Sequence, residues 1–156
     1  MTGQGGTLEP RARRQLHERF LLPLSVLILS SCTVTLISRY DEVTDKACTE
    51  LHQKVTGFLL KMESAASPEI PYKLNVSFYQ DTKLTLESIL LRAESIDKNE
   101  KTVEQVKLLQ GSIENLRKIH EESDLLKPIV IQASRTAINA QFKSILTLEL
   151  AKKRGE

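Results

Sequence analysis

The chain has 156 residues, of which 40% are hydrophobic and 27% charged, enough for one globular domain and too hydrophobic for a disordered chain. Aromatic residues make up 4%, there is no Trp, and Gly and Pro number six and five, poor material for a barrel or sandwich of short strands and tight turns. With 22 basic against 20 acidic residues the net charge is +2, so no overall field recruits nucleic acid, and no nucleic-acid partner is expected.

The first segment reads as an address. Arg11, Arg13, Arg14 and Arg19 precede an uncharged run from Phe20 to Leu29. A basic start followed by a short apolar helix is the pattern of a secretory signal. Arg13-Arg14-Gln15-Leu16 also matches part of a twin-arginine export signal. The apolar run closes on Leu29-Ser30-Ser31-Cys32, which resembles the lipobox of bacterial prolipoproteins. That resemblance implies cleavage between Ser31 and Cys32, a diacylglyceryl group on the Cys32 sulfur, and acylation, for instance with palmitate, of the new amino terminus. It also implies a bacterial envelope location facing the periplasm, and Thr33 in place of Asp permits transfer to the outer membrane. The alternative is an uncleaved anchor, because Phe20 to Ile37 carries no charge over a length that just reaches across a bilayer.

The expected organisation is therefore a lipoprotein signal peptide at 1–31, a lipidated tether at 32–40 and a helical bundle domain at 41–156. Four of the 22 basic and two of the 20 acidic residues precede Cys32, so the mature part carries no formal net charge. Membrane attachment is then expected from the lipid and not from a polybasic surface. With Cys32 lipidated, Cys48 is the remaining thiol. It has no partner for an internal bridge and reads as a small, partly buried helical residue, with an intermolecular disulfide or a redox-reactive thiol as the alternative.

Four helical patterns follow. Val43, Ala47, Leu51, Val55, Leu59 and Met62 recur every three or four positions after Asp41, a suitable N-cap. Ser67-Pro68-Glu69-Ile70-Pro71 breaks this first helix. A second pattern from about Tyr72 to Ile96 has two apolar sides, Phe78, Tyr79, Leu86, Ile89 and Ala93 on one and Val76, Leu84 and Leu91 on the other. That width predicts contact with two neighbours, although its Thr and aromatic content also admits strand for part of it. After Asp97-Lys98-Asn99-Glu100-Lys101, Thr102 and Gln105 have the spacing of a capping box. A third stripe, Val103, Val106, Leu109, Ile113, Leu116 and His120, runs to Glu121-Glu122-Ser123-Asp124. The fourth begins near Pro128, takes Val130, Ala133, Ala137, Gln141, Ile145 and Leu148 as its stripe with Ile138 and Phe142 widening it, and stops at Lys152-Lys153-Arg154-Gly155. The fold class is all-α, an antiparallel bundle of about four helices after an N-terminal signal segment.

No catalytic or metal residues are predicted. Neither His52 nor His120 has a Glu three positions earlier, as a di-iron bundle needs, and the two cysteines cannot form a haem attachment motif. Both histidines read as structural or surface groups. The acidic side chains pair with Lys or Arg at helix spacing and read as a solvated surface. With its Tyr40-Asp41-Glu42-Val43-Thr44-Asp45 opening and its basic ending after Leu148-Glu149-Leu150-Ala151, the mature region resembles the small helical lipoproteins of bacteria, for which no activity carries over. The sequence thus points to a membrane-tethered structural or protein-interaction module with an envelope partner, no cofactor and no enzymatic activity. A carrier of a small apolar ligand, held between the second and fourth helices, is the alternative function, and an enzyme with a cleft assembled from several helices stands third.

Overall fold

The computed structural model describes residues 37–64 and 70–155. The predicted signal, Ser31 and Cys32 lie outside the described residues. Four helices account for the rest: α1 (Glu42–Ser64), α2 (Val76–Glu94), α3 (Glu100–Ser123) and α4 (Pro128–Arg154), with a short 3-10 turn at Tyr72–Leu74 ahead of α2. Each helix packs against two others in the cycle α1–α2–α3–α4–α1. Asp41 at the start of α1 bonds Arg92 near the end of α2 and Glu149 near the end of α4. At the opposite end, Glu63 of α1 pairs with Arg135 of α4 and Tyr79 of α2 meets His120 of α3. The bundle is therefore up-down-up-down, as short connections between long amphipathic helices require.

Local chemistry sets the helix ends. The Asp41 carboxylate accepts the Thr44 amide at 3.1 Å and the Thr44 hydroxyl at 2.6 Å, capping α1. Pro128 occupies the first turn of α4, where its missing N–H is not needed, and Lys152, Lys153 and Arg154 fill the last turn. Lys98 and Asp124 turn the chain before and after α3 with φ of 60° and 56°, a left-handed conformation that costs a non-glycine residue roughly 1–2 kcal/mol. Lys98 sets up the docking of Ser38, and Asp124 that of Tyr72.

The core is one continuous cluster through all four helices, including Leu51, Val55 and Leu59 of α1, Leu86 and Ile89 of α2, Leu109 and Leu116 of α3, and Ile138, Phe142 and Ile145 of α4. Burial of each such side chain contributes roughly 1.5–3 kcal/mol. Phe58 and Phe78 stack at 3.7 Å between ring centres, tying α1 to α2. Among the described residues, two buried polar atoms lack a partner, Thr82 Oγ1 and Gln141 Oε1.

Four expectations shift. Val43 is 53% exposed, and Thr44 and Cys48 take the core positions. Repeated steps of four residues advance about 40° beyond a full turn each, so Ala47 and Val43 drift progressively off the face that Leu51 occupies, while a step of three from Leu51 to Cys48 corrects it. Leu84 and Leu91 are about 70% exposed and meet no second neighbour; α2 reaches both its neighbours through its inner face. Thr102 is not a cap. It lies inside α3, fully buried, and the helix begins at Glu100. In α4 the buried face is Ile131, Ile138, Phe142, Ile145, Glu149 and Lys152, with Ala133 and Ala137 exposed, because burying Ile and Phe removes more apolar area than burying Ala.

Candidate functional site

The most unusual chemistry in the bundle lies where α4 ends. Glu149 and Lys152 continue the core face of α4 by three- and four-residue steps from Ile145, and that face carries them into the interior. Glu149 is fully buried and Lys152 is 6% exposed. They form an ion pair at 2.6 Å. The Lys152 ammonium has three donors, and all are used: Glu149 Oε1 at 2.6 Å, Asn99 Oδ1 at 2.6 Å and Thr102 Oγ1 at 2.9 Å. Thr102 donates in turn to Glu149 Oε1 at 3.0 Å, and the other carboxylate oxygen of Glu149 accepts the Asp41 amide at 3.2 Å.

Asn99 extends this cluster to the leading segment. Its Oδ1 also accepts the Ser38 hydroxyl at 2.9 Å, and its Nδ2 donates to the Ala93 carbonyl at 3.0 Å. The Ser38 amide bonds the Lys98 carbonyl at 2.9 Å. Beside it, Arg92 donates two bonds of 2.6 Å to the two oxygens of Asp41, and this guanidinium holds the Asp41 carboxyl well below the usual carboxylate range against the opposing effect of partial burial. Tyr40 donates to Asp45 at 2.8 Å, which pushes its hydroxyl up to about 12, and its ring lies 4.8 Å from the Lys153 ammonium. Ser38–Asp41, most of it expected in the tether, is thus bonded to Lys98 and Asn99 of the following loop and to α1, α2 and α4.

A second cluster occupies the opposite end. His120 is fully buried and uses both ring nitrogens. Nε2 is 2.9 Å from the Ile70 carbonyl, which can only accept, so Nε2 carries the proton, and Nδ1 accepts the Tyr79 hydroxyl at 2.9 Å. Burial lowers the basicity of the imidazole and is the main reason it stays neutral. The Tyr72 amide bonds the Asp124 carbonyl and side chain at 3.0 and 3.1 Å. Arg117, held by Glu114 and Glu121, donates to the Tyr72 hydroxyl at 3.0 Å.

Both clusters are internally satisfied: the three Lys152 donors are filled, and the Glu149 carboxylate is met by Lys152, Thr102 and the Asp41 amide. Among the described residues no group of three or more His, Cys, Asp and Glu side chains could hold a metal ion. Cys48 is fully buried and free, and burial pushes its thiol up to about 12, helped by the nearby charges of Glu149 and Asp45. His52 lies half-buried, 3.1 Å from Asn139 of α4 and 5.0 Å from the Phe142 ring centre. Two open grooves follow the α2–α3 seam. One, of about 580 Å³, is lined by Ala93, Ile96, Val103 and Leu108 and by the Glu94–Lys107 pair. The other, of about 300 Å³, has Tyr79, Leu86 and Ile113 at its floor and Lys83, Glu87 and Arg117 on its rim.

The solvated surface expected for the acidic side chains and the exposed basic helix end do not hold at Glu149 and Lys152, which are buried. Their legible signal was position, since both lie on the extension of the Ile138–Phe142–Ile145 stripe. Comparison with protein-family models, curated proteins and solved structures returns no match for this chain. Among the described residues no helix is long and apolar enough to cross a membrane.

Proposed function

We propose that this chain is a lipid-anchored helical bundle of the bacterial cell envelope, a structural or protein-interaction module held at a membrane by acyl chains on Cys32. The observation that carries the reading is the polar clamp on Ser38–Asp41, the first part of the bundle after the proposed anchor. Five residues separate Cys32 from Ser38, and even fully extended such a segment spans only about 20 Å. Under this reading the bundle works beside the lipid surface, and the clamp passes any pull on the tether directly to three helices. The filled hydrogen-bonding capacity of the clamp and the closed core favour holding over catalysis.

Labelled fatty acid supplied to cells expressing the wild type and Cys32→Ala tests the proposal. It predicts label on the wild type alone, with the variant accumulating as an uncleaved precursor. Equal labelling of both would overturn the assignment of Cys32, and label on neither with both still in the membrane fraction would overturn it and leave Phe20 to Ile37 as a spanning anchor. A second reading, carriage of a small apolar ligand, was expected between the second and fourth helices, which do not pack together; what supports it is the apolar floor of the 300 Å³ groove between α2 and α3. Co-purifying lipid that is lost from a Leu86→Glu variant of unchanged helicity would favour it.

A further inference from the structure

The 70–75 turn is fastened to the end of α3 by few bonds, and the central one depends on a neutral histidine. Ile70 is held through its carbonyl by His120 Nε2–H, and Tyr72 through its amide by Asp124 and its hydroxyl by Arg117. His120 has no solvent exposure. Its ring packs edge-on to Tyr72 and Tyr79 at 5.6 and 5.8 Å between centres, and Tyr79 meets the Phe58 and Phe78 rings in turn. We propose that the 70–75 turn is a proton-operated latch: neutral His120 holds it against α3, and protonation at Nδ1 releases it.

The chemistry is one of hydrogen-bond polarity. A proton taken up from solvent at Nδ1 turns an acceptor into a donor facing the Tyr79 O–H. Tyr79 can then accept only by turning its own proton toward the surrounding rings, where Phe58 and Phe78 offer no lone pair. The imidazolium must also lose its hydration in a site sealed by aromatic rings.

The charges around His120 decide how much of that cost remains. Tyr79 faces it from α2, Tyr72 from the turn, and Asp124 from the end of α3, where its carboxylate favours the imidazolium. Arg117 on α3 disfavours it through the Tyr72 hydroxyl but is itself offset by Glu114 and Glu121. At the same end, α1 and α4 contribute the Glu63–Arg135 pair, which is internally compensated. The net direction follows burial: the imidazole is a weaker base folded than free. The latch is therefore closed above the ordinary histidine range and opens as pH falls below it. It holds whether or not Cys32 carries lipid.

Hydrogen exchange on the full chain in detergent, corrected for the intrinsic effect of pH, tests the latch at the amides of Tyr72 and Asn75. Protection should fall about tenfold or more between about pH 7.5 and pH 5, while that of Leu109 in the core stays unchanged. In His120→Gln, which cannot titrate, the loss should vanish. Constant protection in the wild type, or the same loss in the variant, would overturn the proposal. If His120→Gln fails to fold, NMR titration of the wild-type imidazole serves instead. Its protonation midpoint must coincide with the loss of protection, and separated midpoints would overturn the latch.

Discussion

Lys152→Met should be among the most damaging single changes in the bundle, and its cost follows from the geometry. The substitution preserves side-chain length and removes the three donors of the ammonium. Asn99 Oδ1 keeps the Ser38 hydroxyl, and Thr102 still donates to Glu149. What remains uncompensated is the Glu149 charge, with no solvent exposure and bonds left only from Thr102 and the Asp41 amide. Breaking a buried ion pair from one side costs about 3–5 kcal/mol, against a total stability of about 5–15 kcal/mol for a domain of this kind. At about 3–5 °C per kcal/mol for this chain length, the melting temperature should fall by about 10–25 °C. Glu149→Leu together with Lys152→Met removes both charges. It should return to within about 2 kcal/mol of the wild type, the deficit being the Thr102 hydroxyl and Asp41 amide left without their acceptor. Urea unfolding of the full chain in detergent, followed by far-UV circular dichroism, gives the four corners of the cycle. A coupling below about 0.5 kcal/mol, with the two single changes simply additive, would refute the buried pair.

Other parts of the fold give sharper single readouts. Phe142→Ala, at a fully buried position in α4, should cost about 3–5 kcal/mol in the same unfolding assay. Gly111→Ala should raise the melting temperature, because nothing lies within 4 Å of the added methyl and a mid-helix Gly costs about 0.5–1 kcal/mol relative to Ala. Cys48 should resist alkylation in the folded chain and react once urea unfolds it. With the thiol near 12 only about one molecule in ten thousand carries thiolate at pH 8, before any steric protection. The folded-state basicity of Asp41 is depressed by Arg92, so the stability this pair contributes is present above the free carboxyl range, about pH 4, and lost as pH falls below it. Arg92→Ala should therefore flatten the acid limb of the urea midpoint against pH, and an unchanged limb would exclude the pair as its source.

The helices were legible because their cores obey the three- and four-residue rule. Leu51, Val55, Leu59 and Met62, and likewise Val106, Leu109, Ile113 and Leu116, are buried as their spacing requires. Errors gathered where two faces competed. In α4 the Ala133–Ala137 face and the Ile138–Phe142 face are adjacent, and the larger side chains take the interior. The clamp was hidden for a different reason. A charged residue is solvated by default, and only the four-helix arrangement brings Asn99 and Thr102 at the start of α3 and the Asp41 amide before α1 together to offset the burial of Glu149 and Lys152. Thr102 carried the spacing of a cap, yet in the folded chain its hydroxyl serves that distant pair. His120 was placed on the core stripe of α3, but its two partners come from α2 and the Ile70 carbonyl, which no local pattern encodes.

The most direct test of the central claim is the intact mass of the protein extracted from cell membranes. A chain beginning at Cys32 and carrying a diacylglyceryl group and an amide-linked acyl chain is the predicted result, placing the clamped Ser38 six residues from a lipid anchor. A chain that retains Phe20 to Ser31, without added acyl mass, would contradict it.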